Sequence, residues 1–178
     1  MEMKKSLMIF WVCLIAFSSS LWAQSVVGFW KTVDEKTGKV QSIVAIYEYQ
    51  NQCFGRIIAT YGSDGDFSDS IENPKTRAPG VEGEPFYSGM DIIWNLKKKG
   101  DKYTKGNILD PDQGRVYSAE MWLHDGNLVV RGQLLFFGRN QTWLPASDID
   151  FPQGFRKPDL AQLVPQIPKV KSRKAMRS

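Results

Sequence analysis

From residue 25 to residue 146 the chain repeats one pattern: a β-rich run, then a turn signal. The runs cover 25–33, 40–49, 53–61, 90–97, 102–109, 115–123, 128–137 and 140–145. Between them lie turn residues: Asp34 to Gly38, residues 50–52, Gly100-Asp101, Asp110-Pro111-Asp112-Gln113-Gly114, Asp125-Gly126 and Gly138. Asp125-Gly126 between apolar runs is the two-residue type I′ hairpin signal, because both central positions need positive φ. Asp110-Pro111 pre-sets a type I turn, which Gly114 can follow in the left-handed region. Connections this short force neighbouring strands to run antiparallel. Seven or eight strands in meander order, with almost no helical period between them, define an all-β fold. A single up-and-down barrel is favoured over a sandwich, since sequential hairpins close on themselves and closure removes open edges.

Alternation within the runs is incomplete. Around Ile43, Val44, Ala45, Ile46 and Tyr47 both faces are apolar, as they are over 134–137. One face fills or lines the barrel; the other must pack against a loop, a tail or a second chain. Residues 62–85 form a long Gly-, Pro-, Asp- and Ser-rich loop, a length that in compact domains usually carries function or mobility. From Asp148 onward Pro152, Pro158, Pro165 and Pro168 precede a basic end, which reads as an extended arm leading to a disordered tail.

Residues 1–23 read as a signal peptide. Lys4 and Lys5 precede an apolar stretch over 7–17, which ends in Ser18, Ser19 and Ser20 and then Leu21, Trp22 and Ala23. Such a stretch suits an export signal cleaved after Ala23 and is too short to span a bilayer. The domain plan is therefore a leader over 1–23, a barrel over 24–147 and an arm with basic tail over 148–178. The location is periplasmic or extracellular. Cleavage leaves Cys53 as the mature chain's one cysteine, so no intramolecular disulfide can form and packing must supply stability. Of the 23 basic residues, Lys4 and Lys5 fall in the leader and Arg156, Lys157, Lys169, Lys171, Arg173, Lys174 and Arg177 follow the barrel. The positive balance is thus a property of the tail, and a basic nucleic-acid-reading face on the barrel is not expected.

Several chemistries are disfavoured by inventory. His124, the one histidine, abuts the Asp125-Gly126 turn, so a zinc site or a Ser-His-Asp or Cys-His centre has too few parts. Asp64, Asp66, Ser68 and Asp69 resemble the start of a calcium loop, but its sixth and twelfth positions hold Asp69 and Lys75 instead of Gly and Glu. Asp110 and Asp112 are explained by their turn, and no phosphate-cradling or dinucleotide fingerprint occurs. The chain is not expected to be an enzyme, and no metal or cofactor is expected.

Several short motifs resemble, in order, the secreted bacterial family Domain of Unknown Function 2147. They are Gly28-Phe29-Trp30-Lys31-Thr32 with Asp34 and Gly38, Ser42-Ile43-Val44, Gly55-Arg56-Ile57, Gly106, Ile108-Leu109-Asp110-Pro111 with Gly114 and Tyr117, Val130-Arg131-Gly132, and Gly138-Arg139-Asn140-Gln141-Thr142-Trp143. The resemblance spans nearly the whole mature domain. It implies a lipocalin-like barrel in the bacterial envelope, without an established activity. Gly28-x-Trp30 also resembles the opening motif of lipocalins, whose indole plugs the closed end beneath a cation. Trp30 would be that plug, and Arg139 or Lys31 the cation.

Tyr47, Trp94, Tyr117, Trp122, Phe136 and Trp143 are the aromatic stock for a cavity wall, although each can equally be plain packing. Arg131, if inward, must be paired with a ligand carboxylate or with Glu120; outward is its default. These residues nominate a site for a small apolar or amphiphilic molecule. The alternative is a packed barrel used as an envelope scaffold. Its long loop, or the tail residues Lys169, Lys171, Arg173, Lys174 and Arg177, would then contact a partner or an anionic surface.

Overall fold

The computed structural model describes residues 25–134 and 137–171. Among these, nine strands form: β1 (Gly28–Val33), β2 (Val40–Tyr49), β3 (Gln52–Tyr61), β4 (Phe67–Ser70), β5 (Asp91–Lys99), β6 (Lys102–Asp110), β7 (Arg115–His124), β8 (Asn127–Leu134) and β9 (Phe137–Pro145). Every pairing is antiparallel. Eight strands follow the ring β1-β2-β3-β5-β6-β7-β8-β9 and back to β1, so the sheet closes on itself. Closure rests on Trp30 opposite Pro145 and Lys31 opposite Leu144, extended by the Ala146 amide donating to the Phe29 carbonyl at 2.9 Å. The expected all-β up-and-down barrel is what forms. The sequence runs did not show β4, a short strand in the long loop that pairs with β3 outside the ring.

Turn chemistry sets this order. Asp125 and Gly126 take φ of 50° and 77°, which gives the right-twisting reversal between β7 and β8. The β2–β3 reversal does the same at Gln50 and Asn51, with φ of 48° and 61° and no glycine.

Register separates an inner face from an outer one. Trp30, Val44 and Ile57 share one cross-strand row and point inward, as do Ala119, Gly106 and Gly132. Toward the β2–β3 turn the interior is solid: Trp30, Ile46, Cys53, Leu96, Met121 and Leu128 are all buried. The Trp30 indole N–H donates to the Val26 carbonyl at 2.8 Å, so the buried ring leaves no polar atom unpaired. Gly106 belongs to this packing because a Cβ there would lie 2.5 Å from the Leu96 side chain.

The second apolar face of β2 and β3 is covered by the chain's own C-terminal arm. Ile43, Ala45, Ile58 and Ala59 are fully buried beneath Phe29, Phe151, Phe155, Leu160 and Leu163. Burying an isoleucine contributes about 1.5–3 kcal/mol, so covering Ile43 and Ile58 is part of what holds the arm down. Phe151 meets Phe29 edge-on at 5.7 Å and stacks on Phe155 at 5.5 Å. Lys31 pairs with Asp150 at 2.7 Å beside them. Farther along, Val170 bridges to Val81, and Lys171 pairs with Glu84 at 2.7 Å. The leader 1–23 and the end of the basic tail, with Arg173, Lys174 and Arg177, lie outside the described residues.

Candidate functional site

The barrel is filled at one end and hollow at the other. Above Trp143 and Ile57 a cavity of about 760 Å³ opens between the β1–β2, β6–β7 and β8–β9 ends of the strands. Its wall takes Thr32 from β1, Ser42 from β2, Thr60 from β3, Ile92 from β5, Ile108 from β6, Tyr117 from β7, Gly132 from β8 and Gln141 from β9. The β-period explains most of the set, and ladder irregularities on β3 and β5 bring Thr60 and Ile92 to the wall beside the inward Ile57 and Ile93. Gly132 matters because its missing side chain leaves room; a Cβ there would press on Ile108 at 3.3 Å.

The long loop borders the mouth and is held by an internal carboxylate. Asp69 is fully buried. It accepts from the Ser88 hydroxyl at 2.6 Å, the Thr60 hydroxyl at 2.7 Å and the Thr76 and Lys75 amides at 2.7 and 3.0 Å. Burial pushes this carboxyl upward, yet the four donors outweigh it and hold Asp69 below the usual carboxylate range. Gly80 then docks on the β6–β7 turn. Its amide donates to the Pro111 carbonyl at 3.0 Å, and a Cβ on it would sit 2.2 Å from the Gly114 amide. Tyr87, whose hydroxyl donates to Asp112, and Thr76 thereby reach the cavity. Burial, then the Asp112 bond, raises the Tyr87 phenol above its ordinary value, so it stays a neutral donor.

Charges at the mouth are partnered. Arg139 bonds Glu35 at 2.8 Å, and Asp110 accepts from the Asp112 and Gln113 amides at 3.1 and 3.0 Å, as its turn requires. Among the described residues no group of three His, Cys, Asp or Glu side chains converges to hold a metal ion, and no helix is long and apolar enough to cross a membrane.

This architecture agrees with comparisons to known proteins. Residues 28–144 match the family described as "Uncharacterized protein conserved in bacteria (DUF2147)". The chain belongs to this family. A solved structure of protein HP1028 from Helicobacter pylori, described as belonging to the lipocalin family, superposes with a TM-score of 0.55 at 19% identity. The match covers 71% of this chain and 86% of that one, and it establishes a shared fold. No curated protein matches the chain.

The DUF2147 motif residues serve the container. Gly106 makes room for the floor, Gly114 receives Gly80, Gly132 widens the cavity, and Gln141 and Trp143 line it. Of the residues nominated from sequence, Tyr117 and Trp143 face the cavity. Four others are corrected by the register, which turns them to the outer wall. Tyr47 stacks on Phe54 at 5.6 Å and hydrogen-bonds Asp91 at 2.9 Å. Trp94 stands opposite Asn107, out of phase with the inward pair Ile93 and Ile108. Trp122 lies under the Lys102 ammonium at 4.6 Å. Arg131 is opposite Glu120, between the inward Val130 and Gly132. Phe136 lies outside the described residues. Arg139 is also corrected as a cover for Trp30: it sits at the opposite, open end with Glu35, while Trp30 is buried near the closed end. Lys169 and Lys171 are engaged with the long loop, through the Lys169 carbonyl and the Lys171–Glu84 pair.

Thr32, Ser42 and Gln141 stand in the family motifs without being nominated as wall residues, and sequence reasoning missed Thr60 altogether, because polar residues on a strand do not announce which face they take. Counting every second residue back from Trp143, or forward from Trp30, would have found Gln141 and Thr32.

Proposed function

We propose that the chain is an exported, non-catalytic envelope protein whose barrel carries one small amphiphilic molecule. The observation behind this reading is the half-filled interior: a packed floor beneath a hollow of about 760 Å³ with an apolar side and an open mouth. Ligand pockets of this size class, about 300–1,000 Å³, typically combine apolar walls with a few polar groups. Export is proposed from the leader over 1–23, with Lys4 and Lys5 before the apolar stretch. The non-catalytic part of the reading is supported by the mouth, where the Asp110, Asp112 and Arg139 groups are each bound to a partner.

Two measurements test the reading. Full-length protein expressed in a bacterium should fractionate outside the cytoplasm with an intact mass lacking residues 1–23; retention of the leader on cytoplasmic protein would overturn export. Organic extraction of gently purified protein, followed by mass spectrometry, should release one class of small molecule near one per chain. An empty extract together with no uptake of neutral apolar dyes would overturn the carrier role.

A further inference from the structure

The cavity has two chemically different flanks. On one side Thr32, Ser42 and Thr60 stand in register across three adjacent strands, Thr32 opposite Ser42 and Ser42 opposite Thr60. Gln141 on β9 continues this arc. The other side, from β5 to β7, offers Ile92, Ile108 and Tyr117.

The hydrogen-bonding state of the polar arc is largely set by its surroundings. Thr60 gives its hydroxyl hydrogen to Asp69 at 2.7 Å, and Asp69 is kept ionised by its other donors, so Thr60 turns lone pairs toward the hollow. The Thr32 and Ser42 hydroxyls lie 2.8 Å apart. With Ser42 donating to Thr32, the Thr32 hydrogen turns to the Ser42 carbonyl at 3.5 Å, so both hydrogens are used within the wall and lone pairs remain on both oxygens. The Gln141 amide oxygen accepts from the Trp143 indole at 3.1 Å, which leaves its nitrogen as the donor of the arc. Three acceptor sites and one amide donor therefore face the apolar flank across one cavity. A long-chain lipid with a single head group would place its polar end at the mouth and lay methylenes against hydroxyls. An anionic group in the depth would find no free cation, because Arg139 is engaged at the rim and Arg131 faces outward. A cationic one would meet only the rim carboxylates Asp110 and Asp112, already held by turn amides and by Tyr87.

Resting on the carrier reading above, we infer that the cavity selects an uncharged, facially amphiphilic ligand: a rigid apolar skeleton with hydroxyl or amide N–H donors along one edge. Its apolar face lies on Ile92, Ile108 and Tyr117, and its donors meet Thr32, Ser42 and Thr60.

The test uses three probes with the leader-free protein, followed by intrinsic tryptophan fluorescence and by calorimetry. Hydrocortisone is a neutral ring skeleton with hydroxyl donors, progesterone is the same skeleton with carbonyl acceptors only, and dodecanol is a linear alcohol. Hydrocortisone should bind about tenfold tighter than progesterone despite being less apolar, the difference expected of a well-made hydrogen bond. Thr32→Val and Ser42→Ala should remove most of that preference by weakening hydrocortisone. Thr32→Ala, which removes the same hydroxyl with less bulk, gives a second reading should either variant fold poorly. Tightest binding by dodecanol, or a hydrocortisone preference unchanged in all three variants, would overturn the facial ligand and leave the carrier role standing. No binding of any probe, with an empty organic extract, would overturn both.

Discussion

Replacing Asp91 by alanine should unfasten the C-terminal arm and cost more stability than any other single polar change in the barrel wall. Asp91 is fully buried on the outer face. Its carboxylate accepts from the Arg56 guanidinium at 3.0 and 3.1 Å, the Tyr47 hydroxyl at 2.9 Å and the Gln166 amide of the arm. Arg56, itself only 8% exposed, also donates to the Val164 carbonyl at 2.5 Å. The pair thus grips the arm on both sides of Pro165. Removing one partner of a buried pair leaves an uncompensated charge and costs about 3–5 kcal/mol. For a chain of this size about 1 kcal/mol moves the midpoint by roughly 2–4 °C, so Asp91→Ala should lower Tm by on the order of 10 °C. Urea denaturation at neutral pH followed by circular dichroism gives the free energy, and limited proteolysis should cut the arm before the barrel. Arg56→Met combined with Asp91→Leu should recover part of the loss, because the apolar pair removes the orphaned charge but leaves the Tyr47 hydroxyl, the Gln166 amide and the Val164 carbonyl without these partners. A single-mutant loss below about 1 kcal/mol, or a double mutant no better than the single, would refute the clasp.

Other expectations follow from named groups. Burial, then Glu48, pushes the Cys53 thiol up to about 12. Iodoacetamide at mildly alkaline pH should therefore label native protein only as fast as it unfolds; immediate stoichiometric labelling would contradict the burial. Because this thiol is raised above its unfolded value of about 8.5, its contribution to stability is present below that pH and is lost as pH climbs toward 12. Asp69 is the opposite case: its lowered carboxyl supports the loop above about pH 4 and stops doing so as pH falls through its folded value. Asp69→Asn should raise hydrogen exchange at the Lys75 and Thr76 amides while the barrel strands stay protected; uniform protection would argue against the cradle. Trp30→Phe leaves the buried Val26 carbonyl unpaired and should cost about 1–3 kcal/mol in urea melts. A neutral effect there would mean that the ring, without its N–H, carries the floor.

The closed meander was legible in the sequence because turn residues act locally. Asp125-Gly126 and the Asp110 turn state their geometry within a few positions, and the β-rich runs between them leave one antiparallel route round the barrel. Which aromatic faces inward was less legible, since phase depends on irregularities that sequence does not announce. Asn95 and Lys105 take φ of 62° and 60° on facing strands, so Trp94 and Leu96, two residues apart, end on opposite faces. A register shift opposite Ile43 and Val44 adds a residue to β3 in the same way. Tyr47 misleads for a different reason: an arm more than a hundred residues later covers the outer wall, so a buried aromatic there need not line the interior. The polar arc was hidden because Thr and Ser on a strand look like solvent-facing residues until closure turns them inward.

Uptake of N-phenyl-1-naphthylamine by the parent protein and by Gly132→Leu measures most directly whether the upper barrel is an open container. The parent should take up one dye per chain, saturably. Gly132→Leu should lose most of that uptake while remaining folded, because its side chain would project into the hollow beside Ile108. Trp122→Leu on the outer wall should leave uptake unchanged. Absence of uptake by the parent, or uptake that survives Gly132→Leu and vanishes in Trp122→Leu, would contradict an internal site.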